Sequence, residues 1–315
     1  MKIAFMASDS IALNAIEFVR DFYELCCVVS NPDRPKGRGK KLSPNPVSQW
    51  AIDNGIELLR PEGKPSDKDV LRLRQLGVEL IIVMAYGCIL KDNVLNYGKY
   101  PCLNLHASIL PELRGASPIE TSIALGKNKT GVSLMAISPK MDEGDVADVC
   151  EVEITSSDNA MSLREKISLA SVEVLKKNLP LLEQGNLKFF PQDNSKATYA
   201  RKLFKEDLYL DFRLDARTLC NRIRAFSAGI FIYNDDVIKI FDVDVVDEEK
   251  TFSEVGTILS VSSQGLKIAC ARGVLIAKTL QKPCSKAMCA RDFFAGYKMN
   301  EGHVVKSFDN KPLLR

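Results

Sequence analysis

Hydrophobic and polar positions along the chain follow two different periods up to about residue 190. Short runs of apolar residues predict buried β-strands at 3–6, 25–29, 56–59, 80–84, 103–106, 132–137 and 149–154. Between these runs, apolar residues recur every three or four positions and predict helices at 11–22, 46–53, 67–76, 117–125 and 159–182. This alternation is typical of an α/β domain whose largely parallel sheet carries helices on both faces.

The pattern changes beyond residue 190. The stretch that begins with Pro191 interrupts the helical periodicity and predicts a linker over 191–206. After one helical stretch at 218–226, closely spaced strands separated by turn residues are predicted at 231–233, 237–246, 256–261, 266–271 and 274–280. We therefore expect a Rossmann-like α/β domain at 1–190 and a small, OB-like β-barrel at 207–315.

The composition is that of a globular protein. Of the 315 residues, 46% are hydrophobic and 26% are charged, and no apolar run reaches the roughly 18 residues that a membrane span needs. The nine cysteines are scattered without a Cys-x-x-Cys pair, which excludes a disulfide framework or a zinc ribbon and predicts a reducing, cytoplasmic environment. His106 and His303 are the two histidines of the chain, so a multi-histidine metal site is excluded and no metal is expected.

Positive and negative charges nearly balance, but they are distributed unevenly. Lys and Arg total 43, and Asp and Glu total 40. Residues 1–190 hold 23 basic and 24 acidic side chains, whereas residues 255–315 hold 10 basic and 3 acidic ones. A local excess of this size predicts a basic C-terminal surface that suits a polyanionic partner.

Several common catalytic and nucleotide-binding motifs are absent from the sequence. The first strand–helix turn, residues 6–10, has none of the glycines of a dinucleotide-binding fingerprint. Arg34 occupies the position where a Walker phosphate loop requires glycine ahead of Gly39-Lys40. The Gly-x-Ser-x-Gly nucleophile elbow of the α/β-hydrolases is also missing.

Asn104 and His106 stand two positions apart at the end of the predicted strand 103–106. Their side chains should project from one face, at the edge of the sheet where the carboxyl ends of strands flank a ligand crevice. An amide donor beside an imidazole suits the oxyanion that develops during attack on a carbonyl, and Asp142, after the next strand, is placed to orient the imidazole. Taken alone, a local hydrogen-bonded pair and a plain acidic turn are the alternative interpretations.

Five motifs follow one another in a defined order, namely Asn104-x-His106, Ser108-Ile-Leu-Pro111, Arg114-Gly-Ala-x-Pro-Ile, Thr130-Gly-Val and Met141-Asp-x-Gly-Asp145. This order resembles the signature of the folate-dependent formyltransferases. Further segments are similar to the branch of that family that acts on methionyl-tRNA, at residues 31–42, 197–202, 223–226, 256–258 and 286–288. The resemblance thus runs from about residue 2 to past residue 300. One departure is Ser227-Ala-Gly-Ile230, where this branch usually has Asn-Pro-x-Pro.

The resemblance implies transfer of the formyl group of 10-formyltetrahydrofolate to the α-amino group of methionine on initiator tRNA. In the mechanism we expect, Asn104 and protonated His106 stabilise the oxyanion, while Asp142 holds His106 and relays the amine proton. The family places the folate against two segments, which here are Met84, Ala85, Tyr86 and Gly87, and Ser108, Ile109, Leu110 and Pro111. Because no transit peptide is recognisable, we expect a bacterial cytoplasmic enzyme without membrane association, acting as a monomer.

A basic loop marks the tRNA-directed branch in this resemblance. Residues 34–41 carry five positive charges within eight positions, and Arg38, Lys40 and Lys41 are the expected contacts to the tRNA backbone. An ordinary solvated loop is the alternative interpretation of such a run.

Two other functions remain open at this point. A formyltransferase for a nucleotide sugar or a small amine shares Asn104, His106 and Asp142, but it has no need of a basic loop and a basic C-terminal surface. An RNA-binding module on a relic fold has no need to keep those three residues together. Formyl transfer to Met-tRNA, compared with uncharged or non-initiator tRNA, separates the three hypotheses.

Overall fold

A computed structural model describes residues 1–36, 39 and 41–315, and these form two compact units. Unit 1 comprises Met1–Gly115, Lys129–Glu153 and Leu163–Tyr199. Unit 2 comprises Ala116–Asn128, Ile154–Ser162 and Ala200–Arg315. The two units are interleaved along the chain, because unit 2 takes in two short segments that precede residue 163.

Strands and helices alternate up to residue 183, as the hydrophobic pattern predicts. In chain order these elements are β1 (Lys2–Met6), α1 (Leu13–Phe22), β2 (Glu24–Val29), β3 (Arg34–Lys36), β4 (Lys41–Ser43), α2 (Pro46–Asp53), β5 (Leu58–Leu59), α3 (Asp67–Gln75), β6 (Leu80–Val83), α4 (Asp92–Leu95), β7 (Leu103–His106), β8 (Arg114–Gly115), α5 (Pro118–Ala124), β9 (Lys129–Ala136), β10 (Val146–Glu153) and α6 (Ala160–Glu183). The predicted α/β class is confirmed.

Unit 1 is built around a seven-stranded sheet with the strand order β10-β9-β7-β6-β1-β2-β5. The five strands from β7 to β5 run parallel, and β9 and β10 add an antiparallel edge. The chain adds β2 and β5 on one side of β1 and then returns to add β6 and β7 on the other side. The carboxyl ends of β1 and β6 therefore mark the topological switch point, where ligands bind in open α/β sheets.

Strand β6 is apolar along its whole length, and β1 is apolar from Ile3 onward, because both faces of the sheet are covered there. Phe5 and Ile82 have no exposed surface, and on the opposite face Met6 and Ile81 pack with Leu73 of α3. Burial of a side chain of this kind stabilises the fold by about 1.5–3 kcal/mol. The sheet is thus a firm support for the polar residues that follow its strands.

The elements beyond residue 190 are β11 (Tyr199–Ala200), α7 (Ala216–Phe226), β12 (Gly229–Tyr233), β13 (Asp236–Ile240), β14 (Val243–Thr251), β15 (Ile258–Ser262), β16 (Gly265–Ala269), β17 (Arg272–Ala277), β18 (Thr279–Gln281), β19 (Met288–Cys289) and α8 (Ala290–Gly296). Strands β12, β13, β18 and β19 form one four-stranded sheet of unit 2, and β14, β17, β16 and β15 form a second. Neighbouring strands in both sheets are antiparallel, as predicted for the C-terminal β-domain.

Two of the predicted C-terminal strands, 237–246 and 274–280, are each divided in two. The breaks fall side by side, where the Lys278 amide donates to the Asp242 carbonyl oxygen at 2.8 Å and the Phe241 amide donates to the Thr279 carbonyl oxygen at 3.1 Å. Each strand passes from one sheet to the other at this corner. Apolar residues on both sides of the corner pack into the same core. The hydrophobic pattern of the sequence therefore continues through the bend and gives no indication of it.

The atypical segment 227–230 closes α7 and starts β12. Ser227 is the C-cap of the helix and has a φ of +63°, the left-handed conformation that ends many helices and that glycine adopts more readily. His303, the second histidine of the chain, packs its ring against that of Tyr233, with 4.6 Å between the ring centroids. Both features belong to the framework of unit 2.

Three observations bear on the composition. All nine cysteines are free. In the part of the chain that the structure describes, no helix has the length and apolar character needed to cross a membrane. Among the same residues, no group of three or more His, Cys, Asp or Glu side chains is arranged to hold a metal ion.

Candidate active site

Asn104 and His106 lie on β7, where their partners across the sheet are Met135 and Ser133 of β9. Because they are two positions apart on a strand, their side chains project from the same face. His106 is 6% exposed, whereas Asn104 is half-buried. The Asn104 side chain makes no hydrogen bond to any described residue, so its amide is free to donate to a reacting oxygen.

Both ring nitrogens of His106 face acceptors. Nε2 lies 2.9 Å from the carbonyl oxygen of Leu113, and because a carbonyl only accepts, Nε2 is assigned as a protonated nitrogen. Nδ1 faces Asp142, with 3.7 Å between Nδ1 and Oδ1. An imidazolium at this position presents its second N–H toward the carboxylate. The structure therefore brings together two residues that are distant in the sequence.

Asp142 sits in the turn between β9 and β10, and its second carboxylate oxygen is also engaged. The backbone N–H of Gly115 donates to Oδ2 at 2.8 Å, so the carboxylate lies between this amide and the imidazole. The turn passes so close to β9 that a Cβ added at Gly144 would lie 1.8 Å from the Ala136 carbonyl oxygen. Glycine is therefore required two residues after Asp142.

Three non-glycine residues near the carboxyl ends of the strands have left-handed backbones. The φ angles are +48° at Ala85 after β6, +57° at Leu113 before β8, and +55° at Asp142 after β9. This conformation costs an L-residue about 1–2 kcal/mol, and it persists where the surroundings determine it. Left-handed residues of this kind occur at functional sites more often than elsewhere.

The first segment expected to contact folate, residues 84–87, alternates between buried and exposed. Met84 and Tyr86 are 1% and 2% exposed, while Ala85 and Gly87 lie at the surface. Burial raises the pKa of the Tyr86 hydroxyl, which makes no hydrogen bond to any described residue. Met84 and Tyr86 thus anchor the segment, and the parts accessible to a ligand are Ala85, Gly87 and the main chain.

The second such segment, Ser108 to Pro111, is held by hydrogen bonds of the Ser108 and Ser133 side chains. Ser108 is buried and donates from Oγ to the Glu112 carbonyl oxygen at 2.6 Å. Ser133 of β9 donates to the Ser108 carbonyl oxygen at 2.7 Å and accepts from the Leu110 amide at 3.0 Å. Leu110 is 7% exposed, and Ile109 and Pro111 are half-buried. Sequence reasoning missed Ser133, a polar residue within the apolar stretch of β9.

A second missed group connects the ends of β1, β2 and β6. The Asn31 side-chain amide donates to Ser8 Oγ at 2.8 Å and to the Tyr86 carbonyl oxygen at 2.6 Å. Ser30 and Asn45 extend this network, with 2.9 Å between Asn45 Nδ2 and Ser30 Oγ. The sequence does contain a signal for this group, because Ser8, Ser30 and Asn31 come shortly after buried strands. Residues in such positions line the ligand crevice at the switch point of an open α/β sheet.

The basic loop is partly a hairpin. Strand β3 pairs antiparallel with β4, with Arg34 opposite Ser43. Lys41, the first residue of β4, is exposed. Arg38 and Lys40, the other two residues expected to contact tRNA, lie outside the described residues.

Comparison with known families matches the two halves of the chain separately. The formyl transferase family matches residues 1–179, and the formyl transferase C-terminal domain matches residues 202–298. Similar curated proteins include methionyl-tRNA formyltransferases from three bacteria. That of Acetivibrio thermocellus is 36% identical over 309 residues, covering 97% of this chain and 99% of its own. That of Clostridioides difficile is 36% identical over 310 residues (97% and 100%), and that of Bacillus subtilis is 35% identical over 309 residues (96% and 97%).

Solved structures with the same fold are more distant in sequence. WlaRD, a sugar 3N-formyl transferase crystallised with dTDP and 5-N-formyl-THF, has a TM-score of 0.66 and 20% identity, covering 91% of this chain and 99% of its own. HypX from Aquifex aeolicus, in complex with tetrahydrofolic acid, has a TM-score of 0.61 and 16% identity, covering 100% of this chain and 50% of its own. At these identities the likeness supports the fold.

Proposed function

Because the chain belongs to the formyl transferase family, we propose that Asn104, His106 and Asp142 carry the transfer chemistry of its methionyl-tRNA-specific branch. The chain transfers the formyl group of 10-formyltetrahydrofolate, a co-substrate consumed in each turnover, to the α-amino group of methionyl-tRNA. The observation that carries the proposed residue roles is the His106–Asp142 pairing beside the Asn104 amide, which makes no hydrogen bond to a described residue.

In the proposed first step the methionyl amine attacks the formyl carbon, and the carbonyl electron pair moves to oxygen. The Asn104 amide and the Nδ1–H of protonated His106 donate to this oxyanion. At 3.7 Å, Nδ1 is too far from the Asp142 carboxylate for a direct hydrogen bond, so the Nδ1–H is available to the oxyanion while the nearby carboxylate balances the charge.

The second step moves one proton and breaks one bond. The new C–N bond leaves the amine nitrogen with a proton to lose, and Asp142 accepts it directly or through one water. When the tetrahedral intermediate collapses, the bond from the formyl carbon to N10 of the folate breaks, and N10 takes up the proton from Asp142. Formylated methionyl-tRNA and tetrahydrofolate leave, and Asp142 is again a carboxylate.

The same geometry supports a folate site beside the transfer centre. Gly87 has a φ of +79° and an exposed surface, which allows a flat ring to approach its main chain closely. Main-chain groups of 84–87 and of 108–111 offer donors and acceptors to the edge of the pterin. Ser133 and Asn31 hold these two segments in place.

The assay that tests this function compares formyl acceptors. We expect transfer from 10-formyltetrahydrofolate to Met-tRNA, with initiator tRNA preferred, and no transfer to uncharged tRNA or to an amino-sugar nucleotide. Transfer to the sugar alone would support the small-amine hypothesis, and the absence of transfer to every acceptor would contradict both enzymatic hypotheses.

Arg38→Ala tests the basic loop. We expect kcat/KM for Met-tRNA to fall about 10- to 100-fold, which corresponds to one charge-assisted hydrogen bond to phosphate. The KM for the formyl donor should stay unchanged. Arg72→Ala is the matched control, because the Arg72 guanidinium already pairs with Glu57 at 2.6 Å. An equal fall in both variants would count against a specific role of Arg38.

A second test concerns the basic end of the chain. Lys286, Lys298 and Lys306 are exposed and form no ion pair with any described residue, whereas Lys278 pairs with Asp244 at 3.1 Å. Replacement of all three by alanine should flatten the slope of log Kd for tRNA against log salt by about 0.9 for each phosphate that is no longer neutralised. Lys278→Ala should leave the slope unchanged. A triple variant with the wild-type slope would exclude these lysines from the tRNA interface.

The division of labour along the chain is part of the same proposal. Residues 1–190 are assigned the transfer chemistry, residues 191–206 the connection, and residues 207–315 the contact with tRNA. We assign the enzyme to the bacterial cytoplasm as a monomer, acting on initiator Met-tRNA. Sedimentation of the purified chain with and without tRNA checks the monomer, and dimers in both samples would contradict it.

A further inference from the structure

The left-handed backbone of Asp142 needs partners that hold it in place. Its carboxylate accepts from the Gly115 amide, a contact that acts on the side chain and not on the main chain. Left-handed φ angles are unfavourable for residues other than glycine and persist where the surroundings determine them, so contacts to the main-chain atoms of Asp142 stabilise this conformation.

The side chain of Gln192 supplies those contacts. Its Nε2 donates to the Asp142 carbonyl oxygen at 2.8 Å and to the Gly144 carbonyl oxygen at 2.7 Å. One amide group therefore spans the turn and uses both of its N–H donors on it. Gln192 belongs to unit 1, yet it comes after α6 in the chain, within the stretch expected from the sequence to be a linker.

Arg114 fixes the direction in which the Gln192 amide points. Its Nε and Nη2 donate to Gln192 Oε1 at 3.1 and 2.8 Å, and Arg114 is 1% exposed. A guanidinium can only donate and a carbonyl can only accept, so one orientation of the amide satisfies both neighbours. The buried Arg114 also follows Leu113, whose carbonyl oxygen holds His106. Gln192 thus contacts the main chain of Asp142 directly and, through Arg114, the segment whose carbonyl oxygen accepts from His106.

We propose that Gln192 is a positioning residue for formyl transfer. Its amide holds the main chain of Asp142 so that the carboxylate faces His106 when the proton is transferred. The inference rests on the proposed function, since it assumes that Asp142 and His106 act on the reacting groups. Displacement of a catalytic group by about 1 Å can lower a rate by about 100-fold, so this positioning is worth much of the contribution of Asp142.

Gln192→Glu separates positioning from structural support. The glutamate keeps an acceptor for Arg114 and adds a charge-assisted pair, but it has no N–H for the carbonyl oxygens of Asp142 and Gly144. We expect the thermal midpoint to match the wild type, kcat to fall about 10- to 100-fold, and both KM values to stay within about twofold. Gln192→Ala should lower kcat equally and also lower the thermal midpoint.

Asn194→Ala is the matched control, because Asn194 Oδ1 accepts from Arg114 Nη2 at 2.7 Å, whereas the Asn194 side chain makes no hydrogen bond to residues 142–144. It should retain the wild-type kcat. In an Asp142→Asn background, Gln192→Glu should lower kcat by less than about twofold, since a residue that acts through Asp142 loses its effect with it.

The outcomes distinguish this inference from the proposed function. Wild-type kcat in Gln192→Glu, or a full additive loss in the Asp142→Asn background, would overturn the positioning role and leave the function intact. Wild-type kcat in Asp142→Asn itself would overturn the role proposed for Asp142, and the absence of transfer to Met-tRNA by the wild type would overturn the proposed function.

Discussion

Asn104→Ala is expected to lower kcat about 100- to 1000-fold, the loss typical of removing one oxyanion donor. The Kd for tRNA should stay within about twofold, since the amide acts on charge that develops only in the transition state. Single-turnover transfer to Met-tRNA at saturating formyl donor measures the chemical step directly. The half-buried, unpaired amide of Asn104 makes this change local, because no hydrogen bond to a described residue is broken.

Asn186→Ala is the control for this prediction, because Asn186 is an exposed asparagine just after α6. It should keep the wild-type rate. If Asn104 and His106 stabilise the same oxyanion, the double alanine variant should lose less than the product of the two single losses. Near-normal turnover in Asn104→Ala, with an unchanged thermal midpoint, would remove Asn104 from the mechanism.

Arg201→Ala is expected to destabilise unit 2 by about 3–5 kcal/mol, because it leaves a buried carboxylate without its counter-ion. Arg201 and Asp207 are 8% and 6% exposed, and they pair through Nη1–Oδ2 at 2.8 Å and Nη2–Oδ1 at 2.5 Å. Arg201 Nε also donates to the Pro312 carbonyl oxygen at 2.7 Å, which holds the C-terminal segment. Thermal and urea unfolding followed by circular dichroism measure the loss.

Arg272→Ala is the matched control in the same unit. The Arg272 side chain is 52% exposed and pairs with Asp215 and Glu249, whose side chains are 40% and 89% exposed, so its removal should leave the stability nearly unchanged. Replacing both Arg201 and Asp207 with apolar residues of similar size should recover most of the stability lost in Arg201→Ala. An equal effect of Arg201→Ala and Arg272→Ala would contradict the importance of burial.

The same pair has a definite pH dependence. Burial raises the pKa of Asp207, but hydrogen bonds from Arg201 and from the Phe204 amide outweigh it, and the pKa lies below its usual value. The contribution of the pair is therefore complete above the unfolded pKa of about 3.9, and it is lost as the pH falls through the lower folded value. Wild type should approach Arg201→Ala in stability only in strong acid.

The central strands of unit 1 could be predicted from the hydrophobic pattern because β1, β6, β7 and β9 are mostly buried. The predicted helix 46–53 coincides with α2, and the predicted strand 103–106 coincides with β7. The corner between β13 and β14 was not accessible, since apolar spacing reports burial but not the sheet in which a strand lies. The hairpin of β3 and β4 was missed because its strands are short and largely polar.

The candidate site, too, could be predicted from the sequence only in part. Asn104 and His106 share a face because a strand has a period of two, which the spacing alone determines. That Asp142 faces His106 was an expectation from motif order, and it depends on how β7, β8 and the turn after β9 come together. Arg114 is a charged residue in a polar stretch, so composition favours exposure, yet it is 1% exposed because Gln192, Asn194 and Tyr199 satisfy its donors.

Local rules acting on the amino-acid sequence were thus enough to establish the strands, most helices, the amide–imidazole pair and the uneven charge of the chain. These properties depend on spacing and composition over a few residues, so they can be predicted without knowing which residues are neighbours in the folded protein. Folding was needed to bring Gln192 to the turn that holds Asp142, and to place two segments that precede residue 163 in unit 2. Such contacts arise from the packing of distant elements, and hydrogen-bond partners across that distance leave no periodic trace in the sequence.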